Sequence, residues 1–184
     1  MKTCNTPTSK GFTLIELMVT IAIAGILLAI ALFDSTQMSA QEKASNFSTE
    51  LKRNVKFARA KAMTTGDPVI VCAMTNPGSS GNCLNSWQNG TIVIFSDINN
   101  NGTFEANADI LHRSINNLVA NSQLVHSGNA RSLRFDQRGQ LTVGQNGSFI
   151  FCPTDDNEHN VAVSVMASGT VRDLGKTEQA CTSG

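Results

Sequence analysis

From Leu17 to Phe33 the chain runs for 17 residues without a charge, with only Thr20 and Gly25 among apolar side chains. Counted from Phe12, the stretch is 22 residues long. As an α-helix it would measure about 33 Å at ~1.5 Å per residue, against ~30 Å for the hydrocarbon core of a bilayer. It is therefore predicted to span a membrane once. Lys2 and Lys10 precede it without an acid, while Asp34 and Glu42 follow it. The positive-inside bias then places Met1 in the cytoplasm and the remainder outside. A cleaved secretory signal is the competing reading, with Ala29-Ile30-Ala31 as its small-residue cleavage site. The apolar run exceeds the ~7–15 residues of a typical signal core, and Glu16 stands in its first turn. The 151 residues after Phe33 are not membrane-like. Overall 41% of residues are hydrophobic and 15% charged, and 14 Lys and Arg balance 14 Asp and Glu. That excludes wholesale disorder and a multi-span membrane protein, and gives no general attraction to nucleic acid.

Glu16 constrains the function. A carboxylate at the centre of a membrane helix costs ~2.5–3.5 kcal/mol even on lenient insertion scales. Close to the helix start the cost falls, because the dipole is positive there and the headgroups are near. On those grounds alone Glu16 belongs to a plain membrane anchor. The surrounding residues Lys10-Gly11-Phe12-Thr13-Leu14-Ile15-Glu16 put a side-chain-free Gly between a basic leader and an apolar helix. This segment resembles the class III signal of type IV pilins and type II secretion pseudopilins. The resemblance implies that a prepilin peptidase cuts between Gly11 and Phe12 and methylates the new Phe12 amine. It also implies that Glu16 pairs with the terminal amine of a neighbouring subunit, since an unpaired charge in lipid is penalised and a paired one fixes the axial register.

No proline interrupts residues 12–67, and beyond Asp34 an apolar stripe recurs at Ala44, Phe47, Leu51, Val55, Ala58 and Ala62. Steps of three and four residues make one face of an amphipathic helix. One helix from about Phe12 to about Thr64, stopped by Gly66 and Pro68, is predicted. Lys52, Arg53, Lys56, Arg59 and Lys61 are assigned to its solvated face rather than to a nucleic-acid patch. After Pro68 short runs rich in β-branched and aromatic residues follow: 69–74, 91–95, 132–136, 149–152 and 161–165. Turn formers separate them, among them Asn76-Pro77-Gly78, Asn89-Gly90, Asn101-Gly102, Arg138-Gly139 and Asn146-Gly147. The fold class is α+β, a long N-terminal helix packed on an antiparallel β-sheet head, as in type IV pilin-like proteins. The expected boundaries are a cleaved leader over 1–11, a transmembrane and filament-core helix over 12–33, an amphipathic continuation over 34–64 and a β-rich periplasmic head over 65–184.

Cys4 falls in the leader, and its removal leaves Cys72, Cys83, Cys152 and Cys181. On the oxidising side of a membrane four thiols favour two disulfides, for which three pairings exist. Cys72–Cys83 would staple a strand to the adjacent loop, and Cys152–Cys181 would tie down the polar tail. A zinc site using these cysteines with His159 lacks close C-x-x-C spacing. Asp97, Asn99, Asn101 and Glu105 match part of an EF-hand calcium loop, but its twelfth position is Ala108. A hairpin held by Asx turns is the stronger expectation there, with calcium the alternative and no other cofactor indicated.

The order of Trp87, Gly90, Phe95, Asp97, Asn101, Gly102, Asp109, Leu111 and Arg113 is similar to the globular domain of the GspH/FimT branch of minor pilins and pseudopilins. Some members of that branch bind DNA through a basic G-R-x-R motif, matched here by Gly169-Thr170-Val171-Arg172 with Thr170 in place of one arginine. Residues 65–184 carry six Lys and Arg against ten Asp and Glu, a net charge of −4. Arg172 and Lys176, with Arg131, Arg134 and Arg138, are the candidate contacts for DNA uptake. Enzyme motifs such as G-x-S-x-G and H-E-x-x-H are absent from the sequence. The resemblance implies a minor pilin or pseudopilin of the inner membrane that helps to initiate a type IV pilus or a type II secretion pseudopilus. Its implied partners are other pilins through the N-terminal helix, the prepilin peptidase and an inner-membrane assembly platform.

Overall fold

The computed structural model describes residues 11–88, 90–115, 122–155 and 157–181, and of residues 31–38 only the helical backbone. Of the expected leader over 1–11, residues 1–10 with Cys4 lie outside the described residues. One helix, α1, covers Leu14–Thr65. Gly66 ends it with a φ of 78°, its amide donating to the Ala62 carbonyl at 3.0 Å, which is how a glycine closes a helix. Residues 1–39 and 40–184 form two separate units.

In the first unit the described apolar side chains within α1 run over residues 14–30, about 25 Å of helix at ~1.5 Å per residue. Among the described residues no helix is long and apolar enough to cross a membrane. The expected span over 12–33 draws on residues 31–33, whose side chains are not among those described.

The second unit holds two four-stranded antiparallel sheets where the sequence predicts one. The first has the order β3-β2-β1-β5, built from β1 (Val69–Met74), β2 (Thr91–Ser96), β3 (Ile110–Ile115) and β5 (Ser132–Phe135). The second has the order β4-β6-β7-β8, built from β4 (Gln123–His126), β6 (Gly147–Cys152), β7 (Val161–Val165) and β8 (Val171–Lys176). Strands β3, β4 and β8 have no counterpart in the sequence reading. The turn expected at Asn146-Gly147 is displaced, because Gly147 already opens β6 and the left-handed residue is Gly144.

Side chains alternate across a strand, so each sheet needs two covers. Val69 and Val71 of β1, Ile92 and Ile94 of β2 and Phe149, Phe151, Val163 and Val165 of the second sheet join one core with the helix stripe Ala44, Phe47, Leu51, Val55, Ala58 and Ala62. Phe47 stacks on Phe151 with ring centroids 4.1 Å apart. The opposite face of the first sheet, Ile70, Cys72, Met74, Val93 and Phe95, is covered by Phe104 and Cys83 from the connecting loops. The opposite face of the second, Ile150, Cys152 and Ala162, is covered by Cys181 of the tail. Strand β1 is buried over its whole length for this reason. Both covers are bonded to what they cover, through Cys72–Cys83 and Cys152–Cys181.

Candidate functional site

The first unit places its candidate functional residues, Gly11, Phe12 and Glu16, at the start of α1. Thr13 is the N-cap, and its Oγ1 accepts the Glu16 amide at 3.3 Å. Thr-x-x-Glu is the sequence of a capping box, so the segment expected to carry the processing signal also begins the helix. Thr20 turns its hydroxyl back onto the Leu17 carbonyl at 2.9 Å, which satisfies that donor in an apolar setting. Around these polar groups Phe12, Leu14, Ile15, Leu17, Met18, Val19, Ile21, Ile23, Ile26, Leu27, Leu28 and Ile30 are all exposed, by 49% to 83%. Successive residues differ by about 100° around a helix, so this surface is apolar on every side. Glu16 is the one charged side chain in residues 11–30. Gly11 precedes the helix and has nothing within 4 Å of where a Cβ would stand.

The candidate cation loop is closed on itself. Asp97 is fully buried and pairs with Arg134 at 2.6 Å. Its two oxygens also accept the amides of Asn101 at 3.1 Å and Gly102 at 2.9 Å. Asn99 donates its side-chain amide to Glu105, and Asn101 Oδ1 accepts the Thr103 amide at 2.8 Å. Asp109 accepts the amides of Ile98 and Glu105 at 2.9 and 2.8 Å. A guanidinium, a side-chain amide and backbone amides are thus the hydrogen-bond partners of these carboxylates. Among the described residues no group of three or more His, Cys, Asp or Glu side chains converges.

The basic residues of the head are dispersed. Strand β8 is an edge strand, and the register against β7 shifts between Ala162 and Val163. Arg172 stands opposite Ser164, whereas Lys176 stands opposite Val161. Ser164 and Val161 lie on opposite faces of β7, so Arg172 and Lys176 do as well. Arg134 is engaged by Asp97 and Asn100, and Arg138 by Asp136. On the helix, Arg53 and Lys56 are exposed as expected, but Lys52, Arg59 and Lys61 are half-buried. Lys52 forms an ion pair with Asp173 of β8, and Arg59 Nε donates to the Gly139 carbonyl at 3.2 Å. The hydrogen bond from Lys52, followed by that from the Gly175 amide, holds the Asp173 carboxyl below its usual pKa. These contacts were hidden in the sequence because the acceptors lie far along the chain. Arg113 behaves likewise: its guanidinium lies 3.8 Å over the Phe57 ring and donates to Asn54 at 2.9 Å.

Comparison with known proteins places both units. Residues 7–32 match the prokaryotic N-terminal methylation motif. A type IV major pilin protein, PilA of Myxococcus xanthus, is 50% identical over 46 residues, 25% of this chain and 21% of the relative, so the match spans about a fifth of that relative's length. The fold is similar to the type IV minor pilin FimU of Pseudomonas aeruginosa, with a TM-score of 0.57 and 15% identity over 75% of this chain and 99% of the other. It is also similar to the minor pseudopilin EpsH from the type 2 secretion system of Vibrio cholerae, with a TM-score of 0.50 and 14% identity over 72% and 97%. At such identities these two likenesses establish the type IV pilin-like fold and no more. Residues 48–169, two thirds of the chain, match the type II transport protein GspH family. On that match, with the methylation motif ahead of it, the chain belongs to the GspH family of type IV pilin-like proteins.

Proposed function

We propose that this chain is a structural subunit, a minor pilin or pseudopilin that joins a type IV pilus or a type II secretion pseudopilus. The observation that carries the reading is the start of α1, apolar on every side and interrupted by one carboxylate. Such a helix is stable only where all its sides meet apolar partners, first lipid and then the helices of other subunits. In this reading the segment over 12–33 is held in the inner membrane, with the head on the periplasmic side. A prepilin peptidase cleaves between Gly11 and Phe12, Phe12 is N-methylated, and an assembly platform passes the subunit into the filament. There Glu16 meets the terminal amine of a neighbour, which offsets the penalty of a lone charge and selects one axial register.

Intact-mass measurement of protein from cells with an active prepilin peptidase is expected to show a chain beginning at methylated Phe12. A chain that still carries Gly11 in those cells would refute the processing step. Glu16→Leu is expected to be processed normally but to be depleted from purified filaments by at least tenfold, the equivalent of about 1.4 kcal/mol. Incorporation at the parent level would remove the assigned role of Glu16.

A further inference from the structure

A cleft of about 560 Å³ lies between residues 85–88 and the connection from β4 to β5. Its wall at Ala130 is held from two directions. Trp87 Nε1 donates to the Ala130 carbonyl at 2.6 Å. His126 Nδ1 accepts the amides of Gly128 and Ala130, each at 3.2 Å. The His126 carbonyl accepts the Asn129 amide at 3.1 Å as well, so one residue organises the turn through three bonds. A ring nitrogen that accepts carries no proton, which puts the proton of the neutral imidazole on Nε2. Nε2 is buried without a partner, against Gly147, where a Cβ would stand 2.9 Å from it. The Phe149 ring meets the imidazole edge-on with centroids 4.8 Å apart, and Phe149 in turn meets Trp87 at the same separation.

Among the described residues lining the cleft, none offers an imidazolium a counter-charge. Strand β6 presents Gly147 and Phe149, the 85–88 segment presents Asn85, Ser86, Trp87 and Gln88, and Arg131 is the one charged side chain among the described residues lining the cleft. A second proton has only Nδ1 to bind, where it would face two amide donors.

We propose that His126 is a proton-operated latch on this cleft: a proton added at Nδ1 displaces the Gly128 and Ala130 amides, loosens the turn and frees Trp87 from the Ala130 carbonyl. Burial lowers the His126 pKa, so the latch is closed near neutrality and opens on acidification. The ring takes up one proton from solvent, and no bond other than these hydrogen bonds changes. The head is read as facing the periplasm, where pH follows the medium, but the latch itself does not depend on that reading.

Trp87 is the only tryptophan in the chain, so its fluorescence reports the wall directly. Full-length protein in detergent, titrated from about pH 7.5 to about pH 5, is expected to show a red shift and increased quenching by acrylamide in a one-proton transition centred below ~6.5. His126→Asn keeps an acceptor in place of Nδ1 but does not titrate, and its emission is expected to be flat over this range. His112→Asn removes the other low-pKa histidine and is expected to leave the transition in place. A flat titration of the parent, an unchanged transition in His126→Asn, or its loss in His112→Asn would overturn the proposal. If His126→Asn fails to fold, the parent decides by NMR. Exchange of the Gly128 and Ala130 amides must accelerate with the same midpoint as the His126 ring titration, and unchanged exchange through that titration refutes the latch.

Discussion

At the scale of single residues, glycines that look alike in sequence carry different loads. Gly66 and Gly169 have φ values of 78° and 75°. A Cβ on Gly66 meets nothing within 4 Å, whereas one on Gly169 would stand 2.1 Å from the Gly139 carbonyl oxygen and 3.1 Å from Arg59. Gly66→Ala therefore carries only the cost of a left-handed L-residue, about 1–2 kcal/mol. Gly169→Ala adds a backbone collision that can be relieved only by parting two turns. Denaturant unfolding is expected to show a loss for Gly169→Ala at least twice that for Gly66→Ala. Equal losses would mean that the two turns separate without cost. Gly169 belongs to the stretch compared above with a DNA-binding motif, and its contacts give it a packing role that needs no ligand.

At the scale of elements, the helix stripe carries the greater part of the packing argument. Phe47 is 7% exposed and stacked on Phe151 of β6, so it links α1 directly to the second sheet. Phe47→Ala is expected to cost about 3–5 kcal/mol, the range for a buried phenylalanine, while Lys56→Ala on the exposed face stays within about 0.5 kcal/mol. A Phe47→Ala loss below about 1 kcal/mol would show that the stripe does not bear on head stability. All six stripe residues were legible in the sequence, because steps of three and four have no reading other than a helix face. Strands β1 and β7 were legible to the residue, since Val69–Met74 and Val161–Val165 each carry three β-branched residues. The three unforeseen strands share a physical reason. β3 reads Ile-Leu-His-Arg-Ser-Ile, and its polar members are consumed by long-range contacts such as His112 Nε2 with Ser96 Oγ at 2.8 Å. β4 has four residues, and β8 is an edge strand carrying Arg172, Asp173, Gly175 and Lys176. Charges and a bulge protect such an edge from pairing with other chains, and they also erase the hydrophobic alternation that would announce a strand. The methylation motif at the start of α1 was legible because its signal is local, whereas the contacts around His126 include a bond across 43 positions, from Trp87 to Ala130, and leave no local trace.

At the scale of the whole molecule, two thin covers complete the head, and each depends on a bond that reduction removes. Loop-closure entropy assigns about 3 kcal/mol to the disulfide across 11 residues and about 4 kcal/mol to the one across 29. Cys152→Ser with Cys181→Ser is accordingly expected to lower stability more than Cys72→Ser with Cys83→Ser, and to expose Ile150 and Ala162; the reverse order in denaturant unfolding would contradict this. Acid should act on the same molecule in two stages. Burial lowers the pKa of His112, with Lys61 adding to the effect, and burial lowers that of His126. Between those depressed values and about 6.5 the unfolded chain binds more protons than the folded one, so stability is constant above ~6.5 and declines as pH falls below it. Asp173 works at lower pH: its carboxyl is held below the usual 3.8 by the Lys52 hydrogen bond, then by the Gly175 amide. Its contribution is present above ~3.8 and is lost as pH falls through the depressed value, and the partial exposure of both partners keeps it small. Unfolding of the parent across pH should therefore show an upper step that His112→Asn and His126→Asn each reduce, and a shallow lower step that Lys52→Ala moves upward. Without an upper step, neither imidazole would be neutral by virtue of the fold, and the contacts of His126 would have to be assigned anew.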